Sequence, residues 1–189
     1  LALDAGSRAS GTGGFAAYAE TSLPVAGDGT EPFVKTGGAV VVPLRLREGD
    51  EAGCLNLNRA RTPRLLGVNP ETLATLGAFA PPELWGLLDM ALPGGRVPAL
   101  VGDSDTAMWG LQAATGPEKG GELEYRDEAG NTVTVKLAGK LPMRLSLFQG
   151  ALLVSEKNFT RLYPSAAGYR VFLADAPAGG NGKTFAAGL

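Results

Sequence analysis

The sequence predicts an α+β fold, a mixed β-sheet carrying short helices, and two observations predict it. Between Val97 and Pro177, strand, helix and hairpin patterns follow one another with almost no filler. The chain also holds 28 glycines and 13 prolines in 189 residues, which suits many tight turns and short strands rather than a helical bundle. That length accommodates one domain or two small ones and buries a substantial core.

From the N-terminus, the glycine-rich bend Gly11-Thr12-Gly13-Gly14 precedes a strand over Phe15 to Val25. A second strand covers Ala39 to Arg47, apolar at first and alternating afterwards, so one face or end is solvated. Pro43 places that strand at a sheet edge or at a bulge, because proline donates no ladder hydrogen bond. Gly27 to Pro32 and Glu48 to Glu51 read as loops, and Arg64 to Val68 as a third strand. Asn69 caps a short helix through Leu76, with Pro70 in its first turn.

A second helix runs from Pro81 to Met90. Leu84, Leu87, Leu88 and Ala91 form one stripe, and Trp85 and Met90 widen it nearly all round, which predicts burial on most sides. The competing expectation is that Trp85 docks a partner, since aromatic anchors dominate binding surfaces. Phe15 and Tyr18 share that ambiguity. Pro93-Gly94-Gly95 then breaks the chain.

The apolar strand Val97 to Gly102 leads into Asp103-Ser104-Asp105, residue types that accept hydrogen bonds from the free N–H groups of a helix start. Ala107, Met108, Leu111 and Ala114 follow at the spacing of one helix face, stopped by Gly116-Pro117. In the hairpin, Leu123 and Tyr125 point one way while Glu122, Glu124 and Arg126 point the other. Asp127 to Asn131 turns, and Val133, Val135 and Leu137 oppose Thr132, Thr134 and Lys136 on the return strand. Ala151 to Val154 is a further strand, running into a helix capped by Ser155 whose buried face is Phe159, Leu162 and Tyr163. Tyr169 to Leu173 is the last strand. This divides the chain into a mainly β subdomain over 1–68, a helical connection over 69–96, a second subdomain over 97–177 and a flexible linker over 178–189.

The residues available for chemistry are few. The formal charge is −2 and lysines and arginines are scattered, so no nucleic-acid footprint or polybasic membrane patch is visible. No window approaches the ~18 to 20 consecutive apolar residues of a bilayer span. The chain has no histidine, which removes the commonest general base and the usual zinc sites. Cys54 is the single cysteine, so it forms no internal disulfide and reads as a buried, inert thiol. Gly182-Lys183-Thr184 resembles a phosphate-binding loop, but Pro177 stands where that pattern needs glycine, and too few residues follow for the phosphate-binding helix. Ser155 and Lys157, two apart on a helix, face different directions and make a poor dyad. Asp103 and Asp105 stand at a strand's C-terminal end, where open α/β sheets place ligands. As a pair they would hold a hard metal or do acid–base work, and as single residues they cap a helix and complement its dipole. Capping is the simpler account, and no catalytic, cofactor or metal residue is assigned.

The order of these motifs resembles a family. Val97-Pro98-Ala99-Leu100-Val101-Gly102-Asp103, then Gly121-Glu122-Leu123, then Val135-Lys136-Leu137-Ala138-Gly139-Lys140-Leu141 is similar to the extracytoplasmic domain of FtsX/MacB-like ABC transporter permeases. Leu153 to Phe159 matches the family's later strand and short helix. Ser10 to Phe15, and Cys54 to Arg59 before Pro63 to Val68, echo its larger members. The resemblance implies a MacB-periplasmic-core-like fold and a non-enzymatic role without cofactors. It also implies flanking transmembrane helices in the same parent chain, a separate cytoplasmic ATPase subunit, and a periplasmic or secreted protein partner. The start at Leu1 agrees with a fragment of a longer membrane protein, or with a mature secreted protein. The alternatives are a free periplasmic or secreted binding module, and a carboxylate-dependent metalloenzyme using Asp103 and Asp105.

Overall fold

The computed structural model describes residues 6–26, 34–36, 39–49, 62–166 and 168–175. Cys54, Gly182-Lys183-Thr184, the linker expected over 178–189 and most of the loops after Val25 and Arg47 lie outside these residues.

Among the described residues nine strands form one mixed sheet: β1 Ala17–Val25, β2 Val34–Thr36, β3 Ala39–Arg47, β4 Arg64–Val68, β5 Val97–Val101, β6 Glu122–Arg126, β7 Thr132–Lys140, β8 Ala151–Ser155 and β9 Tyr169–Ala174. Their spatial order is β1-β9-β3-β4-β8-β5-β7-β6, with β2 added against the first half of β3. The pairs β4–β8 and β5–β7 are parallel, and the others are antiparallel. Helices α1 Pro70–Leu76, α2 Pro82–Gly86 and α3 Glu156–Leu162 are short, as the sequence predicts, and a 3-10 turn, Leu87–Asp89, extends α2.

The central strands are buried on both faces. Alternation sends Leu66, Val68, Leu100 and Leu153 into one core, under Leu73 of α1, Trp85 of α2 and Leu88. Their neighbours Leu65, Ala99, Val101, Leu152 and Val154 enter a second core, under Phe159 and Leu162 of α3. Phe159 lies directly on Gly67, where an added Cβ would come within 2.7 Å of its ring. The expected segments 1–68 and 97–177 share this sheet, because β9 inserts between β1 and β3 and β8 lies beside β4.

The structure corrects two expectations. Pro43 is not at the sheet edge, and no bulge interrupts its pairing with Phe172 on β9. The carbonyl of Val40 accepts from Asp175 N on the β9 side, so alternation turns Pro43 toward the other edge of β3. On that edge β2 pairs only as far as Val41 and pairing with β4 begins at Arg45, so Pro43 fills a gap in the ladder and its missing N–H costs nothing. The helix expected from Asp103 to Ala114 is much shorter. It closes as a wide turn, Thr106–Gly110, with Leu111 N donating to Thr106 O at 2.9 Å. Residues 112–121 leave it to pair with β7. Gly116 N donates to Leu137 O at 2.9 Å, and Leu137 N to Gly121 O at 2.9 Å. Those backbone bonds replace the ones a longer helix would make, leaving Ala114 exposed.

Candidate functional site

Asp103 is fully buried where β5 ends. Its Oδ1 accepts from Thr106 N at 2.6 Å and its Oδ2 from Thr106 Oγ1 at 2.9 Å. Thr106 Oγ1 in turn accepts from Gly150 N at 2.9 Å, tying the turn to the loop before β8. Asp105 instead pairs with Arg144 across 3.3 Å. The two carboxylates therefore serve different partners, one as cap and one as surface ion pair, and no group of three metal-ligating side chains occurs among the described residues. Gly102, just before them, seats the same loop: an added Cβ would stand 2.0 Å from the Phe148 carbonyl oxygen.

Trp85 is core. It is completely buried and its Nε1 donates to the Ala78 carbonyl at 3.1 Å. Phe15 is buried as well, in a row of rings with Phe79 and Phe148 whose centroids lie 5.9 and 4.7 Å apart. Gly13 makes room for that row, since a Cβ there would lie 2.4 Å from the Phe79 ring. The glycine-rich bend is thus a close-packing device. Tyr18 and Met90 are partly exposed. Ser155 caps α3 by accepting from Asn158 N at 3.4 Å, and Lys157 points to solvent. Glu122 and Glu124 lie on the solvated face of β6, with Glu122 paired to Arg96 and Lys136.

A buried polar cluster was not legible in the sequence. Arg45 is 6% exposed. Its Nε donates to Glu156 Oε1 at 2.8 Å, and its Nη2 approaches the same oxygen at 2.7 Å. Tyr169 OH also donates to that oxygen at 2.7 Å, with the Arg45 guanidinium 4.4 Å above the Tyr169 ring centroid. Burial, reinforced by the hydrogen bond to the Glu156 carboxylate, pushes the Tyr169 phenol up to about 12. A phenol so raised is a poor base at neutral pH, so the cluster reads as a pin holding α3 to β3 and β9. Its one sequence signal is an arginine at an alternating position of β3, where a solvated side chain is expected; its partner is 111 residues away.

Two adjoining clefts of about 530 and 510 Å³ open at the end of β3 and share Arg47 and Glu48. Glu122, Glu124 and Arg126 line one, and Asp127, Glu128 and Ser165 the other. Arg47 stacks 4.6 Å over Tyr163, whose OH donates to the Arg126 carbonyl at 2.9 Å, and Glu48 pairs with Arg170. Burial raises the Tyr163 phenol, while the Ser165 hydrogen bond holds the Glu128 carboxyl below its usual range. Charges of both signs line these clefts, and Glu48 and Glu122 are ion-paired within the fold.

No helix among the described residues is long and apolar enough to cross a membrane. No protein-family model matches the chain, and no curated protein matches it.

Proposed function

We propose that this chain is a non-enzymatic extracytoplasmic domain of an FtsX/MacB-like ABC transporter permease, standing on the outer face of the inner membrane. In this reading it couples motion driven by a separate cytoplasmic ATPase to substrate export, or to control of a periplasmic or secreted protein. The observation that carries the reading is where the fold is joined and left. Ala17, at the start of β1, lies opposite Ala174, at the end of β9, and Ala16 N donates to Ala174 O at 2.9 Å. Such adjacent ends suit a domain carried between two membrane helices of one parent chain. The motif glycines add support, since each occupies a close approach of this fold: Gly102 against Phe148, Gly121 against Ala113, and Gly139 with an added Cβ 2.8 Å from Leu100 Cδ2.

The source gene read on both sides of these 189 residues tests the proposal. Apolar stretches of about 20 residues flanking the domain, with more downstream, are the expected result. A cleavable signal before Leu1 and a stop soon after Leu189 would overturn it in favour of a free binding module. The purified chain is also expected neither to bind nor to hydrolyse ATP, and tight ATP binding would contradict the division of labour.

A further inference from the structure

The two ends of the fold are joined by more than the sheet. Arg8 and Asp175, 167 residues apart in sequence, form an ion pair from Arg8 Nη2 to Asp175 Oδ2, with side chains 34% and 20% exposed. Arg8 is held for this contact on three sides. Its Nη1 donates to the Gly13 carbonyl at 3.2 Å, and its guanidinium lies 5.0 Å over the Phe15 ring. Its own carbonyl accepts from Phe79 N at 2.7 Å. Gly14, at φ +74°, lets the Arg8 stem lie close, where an added Cβ would come within 3.0 Å of Arg8 Cδ. Asp175 is anchored in turn, its N donating to Val40 O at 2.8 Å.

Antiparallel β1 and β9 begin and end at the same end of the sheet. Pulling their adjacent ends apart would therefore peel the pair one hydrogen bond at a time, starting at Ala16–Ala174. Arg8 and Asp175 stand outside that first bond. We propose that they form a clasp through which displacement of one flanking segment passes directly to the other, so that the domain moves as one body instead of opening between β1 and β9. The clasp itself rests on geometry, and its use in transmitting membrane-helix motion rests on the permease reading.

Native-state hydrogen exchange on the 189-residue chain tests it. Arg8→Ala is expected to speed exchange of the Ala16, Phe79 and Asp175 amides about fivefold, the scale of a partly exposed ion pair, while β8 amides keep their rates. Asp175→Asn should reproduce the effect at Ala16 and at its own amide, and the double variant should add little to either single change. Salt at 1 M on the unmodified chain should give the same pattern by screening. Unchanged rates at the three amides would overturn the clasp. So would an equal rise at every amide, or a rise confined to Phe79. A gene without flanking apolar spans would remove the permease reading and leave this measurement untouched.

Discussion

Glu156 is the residue whose loss should cost the fold most for the fewest atoms removed. Its Oε1 receives both Arg45 contacts and the Tyr169 hydroxyl, all within 2.8 Å. Glu156→Ala leaves a guanidinium that is 6% exposed without its carboxylate, although its Nη1 already has no hydrogen-bond partner among the described residues. Removing one member of a buried pair costs roughly 3–5 kcal/mol. The Glu156 side chain is 23% exposed, so water reaches the site and the lower end, about 3 kcal/mol, applies. Glu156→Gln keeps an acceptor oxygen and loses the charge, which halves the effect to about 1.5 kcal/mol. With a urea m-value of about 2.5 kcal/mol/M, the alanine variant's unfolding midpoint falls by about 1.2 M and the glutamine variant's by about 0.6 M. Urea titration followed by circular dichroism reads both. A midpoint shift below about 0.3 M for Glu156→Ala would show that the pair contributes less than 1 kcal/mol and that α3 is held by Phe159 and Leu162 alone.

Two glycine substitutions should differ sharply in thermal melting. Gly102→Ala forces a Cβ to 2.0 Å from the Phe148 carbonyl oxygen, part of the backbone, whereas Gly139→Ala meets the methyl ends of Leu100, Leu84 and Leu87. The first should cost more than about 3 kcal/mol and the second about 1–2 kcal/mol; equal melting temperatures would contradict the packing described. Asp103→Ala removes a buried cap and should cost about 2 kcal/mol. Magnesium, calcium and manganese should leave the melting temperature of the unmodified chain unchanged, and a shift lost in Asp105→Asn would restore the metal reading. At alkaline pH, Tyr169 keeps its proton in the folded state to about 12 against an ordinary value of 10.0. Its contribution is therefore complete below pH 10 and is lost as pH rises toward 12. Tyr169→Phe should flatten the loss of stability across that window, measured by denaturation at fixed pH values.

Much of the local structure was legible because it is written in short-range chemistry. The hairpin Glu122–Lys140 follows from strict alternation around a Gly-Asn turn, and Leu123 and Tyr125 do point inward. Asn69 caps α1, accepting from Thr72 N at 2.9 Å, and Gly77 closes it in the left-handed conformation at φ +63°. The strands β3 and β4 fall where apolar runs end in charge or proline. The three-residue strand β2 was missed, being too short to show a period, and the turn after Asp103 was overextended because Met108, Leu111 and Ala114 mimic a helix face.

The candidate site was less legible than the fold. Asp103 and Asp105 stand together in sequence, yet one is consumed by Thr106 and the other by Arg144. Arg45, Glu156 and Tyr169 are separated in sequence and converge only because β9 pairs beside β3 and α3 packs against it.

The sequence by itself determined the longer strands, the caps at Asn69 and Ser155 and the hairpin turn, because alternation and capping act over a few residues. The tertiary structure alone decided that β9 slides between β1 and β3, that Pro43 sits harmlessly inside the sheet, that Arg45 is buried, and that Arg8 meets Asp175. Those outcomes depend on which strand edges pair and which charges then share a desolvated space, and no local pattern carries that information.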